Sequence, residues 1–376
     1  MRLACQALCA ARHFDRALQV AEEGARQARA RGDAPGELAA SRSTLEVHMC
    51  RGQTWDALRA VGQALDLAAA VGDRGEQASL LSTSAKLNLQ VHRWDDALNA
   101  AKRSLKLCQD DEGGCAGERL GGVRSLVAAL SAAEKGKEAV QVLEDEREHC
   151  SNGDDQRGEA TSLLLMAGHH ARGGAHQDAI WNIEDAQALF EESQDKAGEG
   201  AALQMLAEVH LSAKDYDAAM EAASKAAQFS QAVADRRAQF GALILALQAQ
   251  ELKLASSNLD PGSTKFRQAA LKAVQLAKEA EEVAERASDT PMLASALCVL
   301  SRMCRVAMKL EDSVKAADSA AALFRDAADR RGEAHALLLG ADARAAAPGC
   351  PQEERARSDA AKALLVLRQL GDRRGE

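Results

Sequence analysis

The sequence predicts an all-α fold, a right-handed α-solenoid of about nine helix-turn-helix repeats. Two positional patterns return with a spacing of about 40 residues along the chain. Hydrophobic residues make up 47% of the chain but aromatic residues only 3%, which suits many shallow, alanine-lined helix contacts better than one deep core. Five prolines in 376 residues permit long helices with few breaks. Together these observations favour a repeat architecture over separate globular domains.

The first pattern is a Gly-Glu pair that opens helix A, the first helix of each repeat. It usually follows Gly-Asp or Asp-Arg, and Ala238-Gln239 and Met292 take its place in two repeats. The successive pairs are Gly36-Glu37, Gly75-Glu76, Gly117-Glu118, Gly158-Glu159, Gly198-Glu199, Gly332-Glu333 and Gly375-Glu376. In the sixth repeat, for example, helix A is predicted from about Glu199 to Ser212 and helix B from about Tyr216 to Val233.

The second pattern is a small residue near the start of helix B. It occurs at Ala17, Ala57, Ala97, Ala139, Ala179, Ala219, Ala273, Ser313 and Ala356. Both patterns keep nearly the same spacing, and both show one longer step at the same place, between the sixth and eighth repeats. Because the two patterns are independent, their agreement indicates a real structural repeat.

A second small position follows seven residues later on helix B, on the same helix face. It is occupied by Gly24, Ala64, Ser104, Glu146, Ala186, Ala226, Ala280, Ala320 and Ala363, of which only Glu146 is large. We call these two sets of helix B positions the small-residue seam. Small side chains there allow helix B to approach its neighbour closely.

The repeats are predicted to form a single array over residues 1–376. Their approximate ranges are 1–35, 36–74, 75–116, 117–157, 158–197, 198–237, 238–290, 291–331 and 332–374. The longer step places an insertion at 256–265, where Asp-Pro-Gly predicts a turn, so we expect a longer loop between helices A and B together with an extended helix A. Pro348, Gly349 and Pro351 predict a stiff connection between the helices of the ninth repeat.

An aromatic residue often precedes the first small position by three residues, as Phe14, Trp94 and Tyr216 do, whereas Trp55 is displaced by one. We expect it to fill the turn between the two helices. With these positions in place, the unit resembles a tetratricopeptide repeat (TPR). Its length of about 40 residues and its Gly-Asp-Arg-x-Gly-Glu linker are similar to the repeats of Pins-type scaffolds, kinesin light chain and bacterial maltose-activator-like regulators. The resemblance implies a helical array that binds peptides or proteins.

Composition and motifs argue against several functional classes. The net charge of −9 argues against nucleic-acid binding through phosphate neutralisation. No apolar run approaches the ~20 residues of a membrane span, and the N-terminus lacks a signal-peptide pattern. Nine scattered cysteines without a CxxC pair indicate reduced thiols and a cytoplasmic protein. The absence of catalytic, nucleotide-binding and metal-binding motifs predicts a protein that is not an enzyme and holds no cofactor or metal.

The candidate binding site is the concave groove that the A helices line in a TPR array. Side chains on that face are Arg2, Arg42, Glu46, Lys86, Arg124, Leu164, Gln204, Glu208, Leu211, Ile244, Gln248, Arg302 and Arg305. They predict an apolar centre with basic flanks. Such a groove suits an amphipathic helix or extended peptide with some acidic residues.

We therefore predict a non-catalytic protein-protein interaction scaffold or adaptor that binds a protein or peptide partner. Two alternatives remain: a structural subunit of a large assembly, or a sensor region cut from a larger signalling protein. Met1 falls within the register of a first helix, and the chain stops at the opening of a tenth repeat. From this we expect a fragment, or an array that associates through uncapped ends.

Overall fold

The structure is a computed structural model that describes residues 1–10, 13–109, 116–257, 260, 263–346 and 350–370. These residues form eighteen α-helices and contain no strand, which confirms the predicted all-α class. Within them, no helix is both long and apolar enough to cross a membrane. The predicted turn at Pro261-Gly262, the stiff connection at Pro348-Gly349 and the marker Gly375-Glu376 lie outside the described residues.

The chain divides into two compact units, Met1–His169 and His170–Glu376, with the boundary inside one helix. Unit 1 contains α1 (Arg2–Ala10), α2 (Phe14–Arg31), α3 (Ala34–Arg51), α4 (Thr54–Val71), α5 (Arg74–Gln90), α6 (Trp94–Gln109), α7 (Ala116–Ala132), α8 (Gly136–Asn152) and most of α9 (Gln156–Arg172). Unit 2 continues with α10 (His176–Glu192), α11 (Lys196–Ser212), α12 (Tyr216–Ala232), α13 (Arg236–Ser256), α14 (Thr264–Ala287), α15 (Thr290–Val306), α16 (Leu310–Asp326), α17 (Arg330–Ala345) and α18 (Cys350–Leu370).

The odd-numbered helices are the predicted A helices and the even-numbered helices are the B helices. The bounds of α11 and α12 confirm the two helices predicted for the sixth repeat to within three residues. In each unit, successive helices pack on one another in chain order, and some neighbouring A helices are also in contact, for example α5 with α7 and α11 with α13. The prediction that all nine repeats form one continuous array stays a prediction.

The linker motif supplies the backbone chemistry that ends one helix and starts the next. Gly72 ends α4 with a φ of 80°, a left-handed conformation that costs glycine little. The Asp73 side chain then accepts a hydrogen bond from the Glu76 backbone N–H at 2.9 Å and caps α5. Asp195, Asp235 and Asp329 cap later A helices in the same way. The aspartate therefore starts the A helix, and the residue before it ends the B helix in a left-handed conformation, as Gly72 does here and as Gln194, Ala234 and Ala328 do later.

The glycine of the Gly-Glu marker has a separate, steric reason. At Gly198 a Cβ would overlap the ring of Phe190, which lies at the end of the preceding B helix. A Cβ at Gly332 would overlap Phe324 in the same way. The missing side chain lets an aromatic ring lie directly on the first turn of the A helix, so this marker records a close packing contact.

The small-residue seam is buried along both units. All nine residues of its first set are buried, and eight of them between Ala17 and Ser313 have no exposed surface. In the second set Ala64, Ala186, Ala226, Ala280, Ala320 and Ala363 are likewise fully buried, and only Gly24 is partly exposed. The repeat pattern in the sequence is therefore the pattern of helix-helix contact.

The exception to the seam, Glu146 of α8, is buried with a partner. Arg119 of α7 donates from Nε to both carboxylate oxygens at 2.9 Å, and its Nη2 lies 2.8 Å from Oε2. The side chains are only 17% and 3% exposed. Here an ion pair between the two helices of one repeat occupies the space that alanine contacts fill elsewhere.

Two sequence expectations need correction. Trp55 is 62% exposed, so its ring lies at the surface and does not fill the turn. Trp94 does contact its turn, where its ring packs edge-on against His92 with 5.1 Å between the ring centroids. Pro351 lies in the first turn of α18, where proline is well tolerated, and not in a connection. The insertion lengthens α13 to 21 residues as predicted, but it also lengthens α14 to 24 residues.

Most of the described cysteines pack inside the units as reduced thiols. Cys5, Cys108, Cys150, Cys298 and Cys304 are buried, whereas Cys50 is exposed. Burial raises the pKa of the Cys298 thiol to about 11. Burial and the nearby Glu146 carboxylate raise the pKa of the Cys150 thiol in the same way. Both side chains therefore remain protonated, weakly reactive thiols at neutral pH.

Overpacking the seam tests whether it sets the helix spacing. Ala219 is fully buried, so Ala219→Leu should destabilise the fold by about 1–3 kcal/mol, because the added carbons have no space. Thermal and urea denaturation measure the loss. Ala201→Leu, at an exposed position of α11, is the matched control and should leave the midpoint nearly unchanged. An unaltered midpoint in the Ala219→Leu variant would show that the seam is not tightly packed.

The buried ion pair of Arg119 and Glu146 predicts different losses of stability for a single and a double substitution. Arg119→Met should destabilise the fold by about 3–5 kcal/mol, because Glu146 is left buried without its partner. The double variant Arg119→Met with Glu146→Met should recover most of this loss, since no charge is then buried. Denaturation of the single and double variants gives the comparison. Equal losses in both would argue that the pair is not desolvated.

Candidate functional site

The candidate residues of the predicted groove all lie on A helices. In unit 1 they are Arg2 on α1, Arg42 and Glu46 on α3, Lys86 on α5, Arg124 on α7 and Leu164 on α9. In unit 2 they are Gln204, Glu208 and Leu211 on α11, Ile244 and Gln248 on α13, and Arg302 and Arg305 on α15. Each unit therefore carries its own set, and we describe the two sets separately.

In unit 1 several candidates connect neighbouring A helices. Arg42 donates from Nη1 to Glu76 Oε2 at 2.6 Å and so links α3 to the first turn of α5. Burial raises the pKa of Glu76, and the Arg42 charge offsets part of that rise. Arg2 and Glu46 lie 3.5 Å apart and link α1 to α3. These three candidate side chains link neighbouring A helices, and their charges are already paired within unit 1.

The remaining candidates of unit 1 are more accessible to a binding partner. Lys86 and Arg124 are exposed on α5 and α7, which are in contact with each other. Leu164 on α9 is half-buried. Unit 1 therefore offers two surface cations on adjacent A helices, and its apolar candidate lies on a different helix.

In unit 2 the candidates recur at equivalent helix positions. One repeat step separates Gln204 from Ile244 and Glu208 from Gln248, and these pairs lie on the contacting helices α11 and α13. Arg302 follows Gln248 by the longer step that contains the insertion. We call the surface formed by Gln204, Glu208, Leu211, Ile244, Gln248, Arg302 and Arg305 the unit 2 A face.

Gln204 has a structural role on this face. Its Nε2 donates to the backbone carbonyl of Ala238 at 2.6 Å, so the side chain of α11 reaches the first turn of α13. It occupies the same position in its helix as Arg42 does in α3, five residues after the glutamate of the Gly-Glu marker. Both bridge to a residue 34 positions later. This position serves contact between repeats, which helix periodicity alone did not distinguish from ligand contact.

The arginines of the unit 2 A face are paired with carboxylates that the sequence pattern did not identify. Arg302 Nη2 lies 3.5 Å from Glu251 Oε2 on α13, and Arg305 Nε lies 2.8 Å from Asp342 Oδ2 on α17. Glu251 lies one repeat step after Leu211, and Asp342 lies one repeat step after Arg302, so the repeat could have identified both. The expected basic flank is therefore neutralised at this end of the face.

The apolar part of the face consists of Leu211 and Ile244. Both side chains are half-buried, on the adjacent helices α11 and α13. Ile244 packs partly against the main core cluster of unit 2, which fixes its position. An isoleucine held in this way can provide apolar contact to a partner without any rearrangement of the fold.

Glu208 is the charged residue of the unit 2 A face that has no partner among the described residues. Its side chain is exposed on α11, and among the described residues it makes no ion pair or hydrogen bond. The helices around it nevertheless displace solvent and raise the pKa of its carboxyl above the usual value. No neighbouring positive charge opposes that shift. Gln248, one repeat step away, is also exposed.

Sequence comparisons do not identify a family. No protein-family model matches the chain, and no curated protein is similar to it in sequence. Solved structures are similar in fold. Aspartyl phosphate phosphatase F from Bacillus subtilis matches with a TM-score of 0.50 and 12% identity, over 86% of this chain and 82% of the other.

Two further structures with lower TM-scores are also similar. The apo form of the quorum sensor NprR from B. thuringiensis has a TM-score of 0.48 and 15% identity, over 86% of each chain. A putative kinesin light chain with TPR-like repeats from Podosopora anserina has a TM-score of 0.43 and 17% identity, over 51% of this chain and 94% of the other. At these identities the similarity concerns the fold, and that fold is TPR-like.

The bridging role of Gln204 can be tested directly. Gln204→Ala should lower stability by about 0.5–1.5 kcal/mol, because the Ala238 carbonyl loses its side-chain donor. Hydrogen exchange should be faster in the first turn of α13, and the thermal midpoint should fall. Gln248→Ala, at an exposed position of α13, is the control and should change neither. If the two variants behave alike, the bond from Gln204 does not connect the helices.

Proposed function

We propose that the protein is a non-catalytic interaction scaffold whose unit 2 A face binds an amphipathic helix or an extended peptide. The observation that carries this proposal is the pair of half-buried apolar side chains, Leu211 and Ile244, on adjacent A helices beside the exposed Glu208 and Gln248. Helix-in-groove recognition uses this combination of apolar anchors and polar neighbours. The seam of the B helices lies elsewhere in the unit, and of these four side chains Ile244 also packs against the core cluster.

The rest of the face supports a preformed site. Gln204 holds α11 to α13, Glu251 pairs with Arg302, and Asp342 pairs with Arg305. These contacts fix the spacing of the A helices before a partner arrives. A rigid face binds more tightly than a mobile one because less conformational entropy is lost on binding.

In unit 1 we propose a smaller contact surface at Lys86, Arg124 and Leu164. Arg2, Arg42 and Glu46 contribute there mainly by holding the A helices together. The buried, protonated thiols are compatible with a reducing compartment, and we propose a cytoplasmic protein on that basis. We propose no cofactor, metal, nucleic acid or membrane among its ligands.

A peptide-display selection tests the proposal. Wild-type protein should enrich peptides with apolar residues at helical spacing. Leu211→Asp combined with Ile244→Asp should weaken their binding at least about tenfold, since charged side chains replace the apolar anchors. Binding of the synthesised peptides is measured by fluorescence anisotropy, with circular dichroism as the check that the variant is folded.

The control for this experiment is Leu271→Asp, the same change at a leucine 46% exposed on the B helix α14. Its affinity for the selected peptides should match that of the wild type. Selected peptides that bind the double variant as tightly as the wild type would place the binding surface elsewhere. Failure to enrich any peptide would count against peptide binding by this face.

A further inference from the structure

We propose that the partner segment of the unit 2 A face carries a lysine or arginine that pairs with Glu208, next to the apolar residues that contact Leu211 and Ile244. This inference rests on the proposed function and specifies the chemistry of the partner. It differs from the expectation drawn from the sequence, which was a peptide with acidic residues.

The charge balance of the face supports a basic partner. Arg302 is paired with Glu251, and Arg305 is paired with Asp342. Each arginine therefore already has a carboxylate beside it, although Arg302 Nε is buried without a hydrogen-bond partner among the described residues. Glu208 has no such partner among the described residues, so an incoming cation gains an ion pair and displaces nothing. The unbalanced charge of the face is therefore negative and lies at Glu208.

Distance prevents the arginines of the face from neutralising Glu208. Glu208 lies on α11, whereas Arg302 lies on α15, two A helices further along the unit. Packed helices are about 8–10 Å apart, and the Arg302 guanidinium reaches only as far as Glu251 on α13, so one helix spacing of about 8–10 Å still separates it from α11. The Debye length at physiological salt is about 8 Å, and interactions between exposed charges over more than that distance are largely screened. Only a nearby cation can stabilise the carboxylate.

The surroundings of Glu208 make that stabilisation useful for binding. The adjacent helices displace part of its hydration and raise its pKa, and no hydrogen bond from the described part of the protein compensates. A cation from the partner would restore favourable electrostatics at a position next to Leu211, three residues later on the same helix. Leu211 and Glu208 on α11, with Ile244 on the contacting helix α13, thus offer two apolar contacts and one anionic contact on the same face.

The same peptide-display experiment, run on three proteins, tests this inference. The probes are a library of random peptides and, from the selected sequences, synthetic peptides in which the basic residue is kept or changed to norleucine. Wild-type protein should enrich lysine and arginine beside the apolar positions. Glu208→Lys should reverse that preference toward aspartate and glutamate. Glu279→Lys, at an exposed position of α14, should keep the wild-type preference.

A second variant gives a quantitative reading that does not depend on charge reversal. Glu208→Gln keeps the size of the side chain and should weaken binding of the lysine peptide by about 2- to 5-fold. It should leave binding of the norleucine peptide unchanged. The difference should decrease as salt is added.

The outcomes separate this inference from the proposal on which it rests. Peptides that need Leu211 and Ile244 but show no basic preference, or the same affinity for the wild type and Glu208→Gln, would overturn the role of Glu208 and leave the docking face intact. Enrichment of acidic peptides by the wild type would also overturn it. Failure of the wild-type protein to bind any peptide would overturn both this inference and the proposed function. Basic enrichment that Glu208→Lys reverses would support the inference.

Discussion

Close contact through alanine is the constraint on which this structure depends. The B helices bury small residues at positions seven apart, and most of these side chains have no exposed surface. A helix pair with so few large apolar side chains cannot bury enough surface by itself, so its stability comes from its neighbours. This packing determines the spacing of the A helices. It therefore also determines how the candidate side chains on the A helices are arranged.

The connections between helices and the bridging contacts between repeats fix the register in which successive helices pack. An aspartate cap begins each of several A helices, and the preceding residue has a left-handed backbone that ends the B helix. Bridges such as Arg42 to Glu76 and Gln204 to Ala238 then link successive A helices. Where alanine is absent from the seam, the buried pair of Arg119 and Glu146 takes its place. The register thus comes from local backbone chemistry together with a few contacts between repeats.

Much of the fold could be predicted because the residues that determine it recur at periodic positions in the sequence. The bounds of α11 and α12, the burial of the seam and the long α13 all followed from spacing and residue size. The site was harder to predict, because equivalent positions on A helices have different roles. Gln204 and Arg42 bridge repeats, while Ile244 at the same position remains available for contact. The pairing of Arg302 and Arg305 depends on carboxylates at equivalent repeat positions of neighbouring helices, which become evident only when the repeats are compared with one another. The exposed Trp55 shows the same limit at the turns.

The central claim is that the seam alanines lie at helix contacts and exclude water. The most direct test is an NMR spectrum of protein labelled at alanine methyl groups, recorded with a soluble paramagnetic chelate. We expect the methyl signals of Ala64, Ala226 and Ala320, assigned by substitution, to keep their intensity, while the signal of the exposed Ala201 broadens. Equal broadening of the seam methyl groups and Ala201 would contradict this claim.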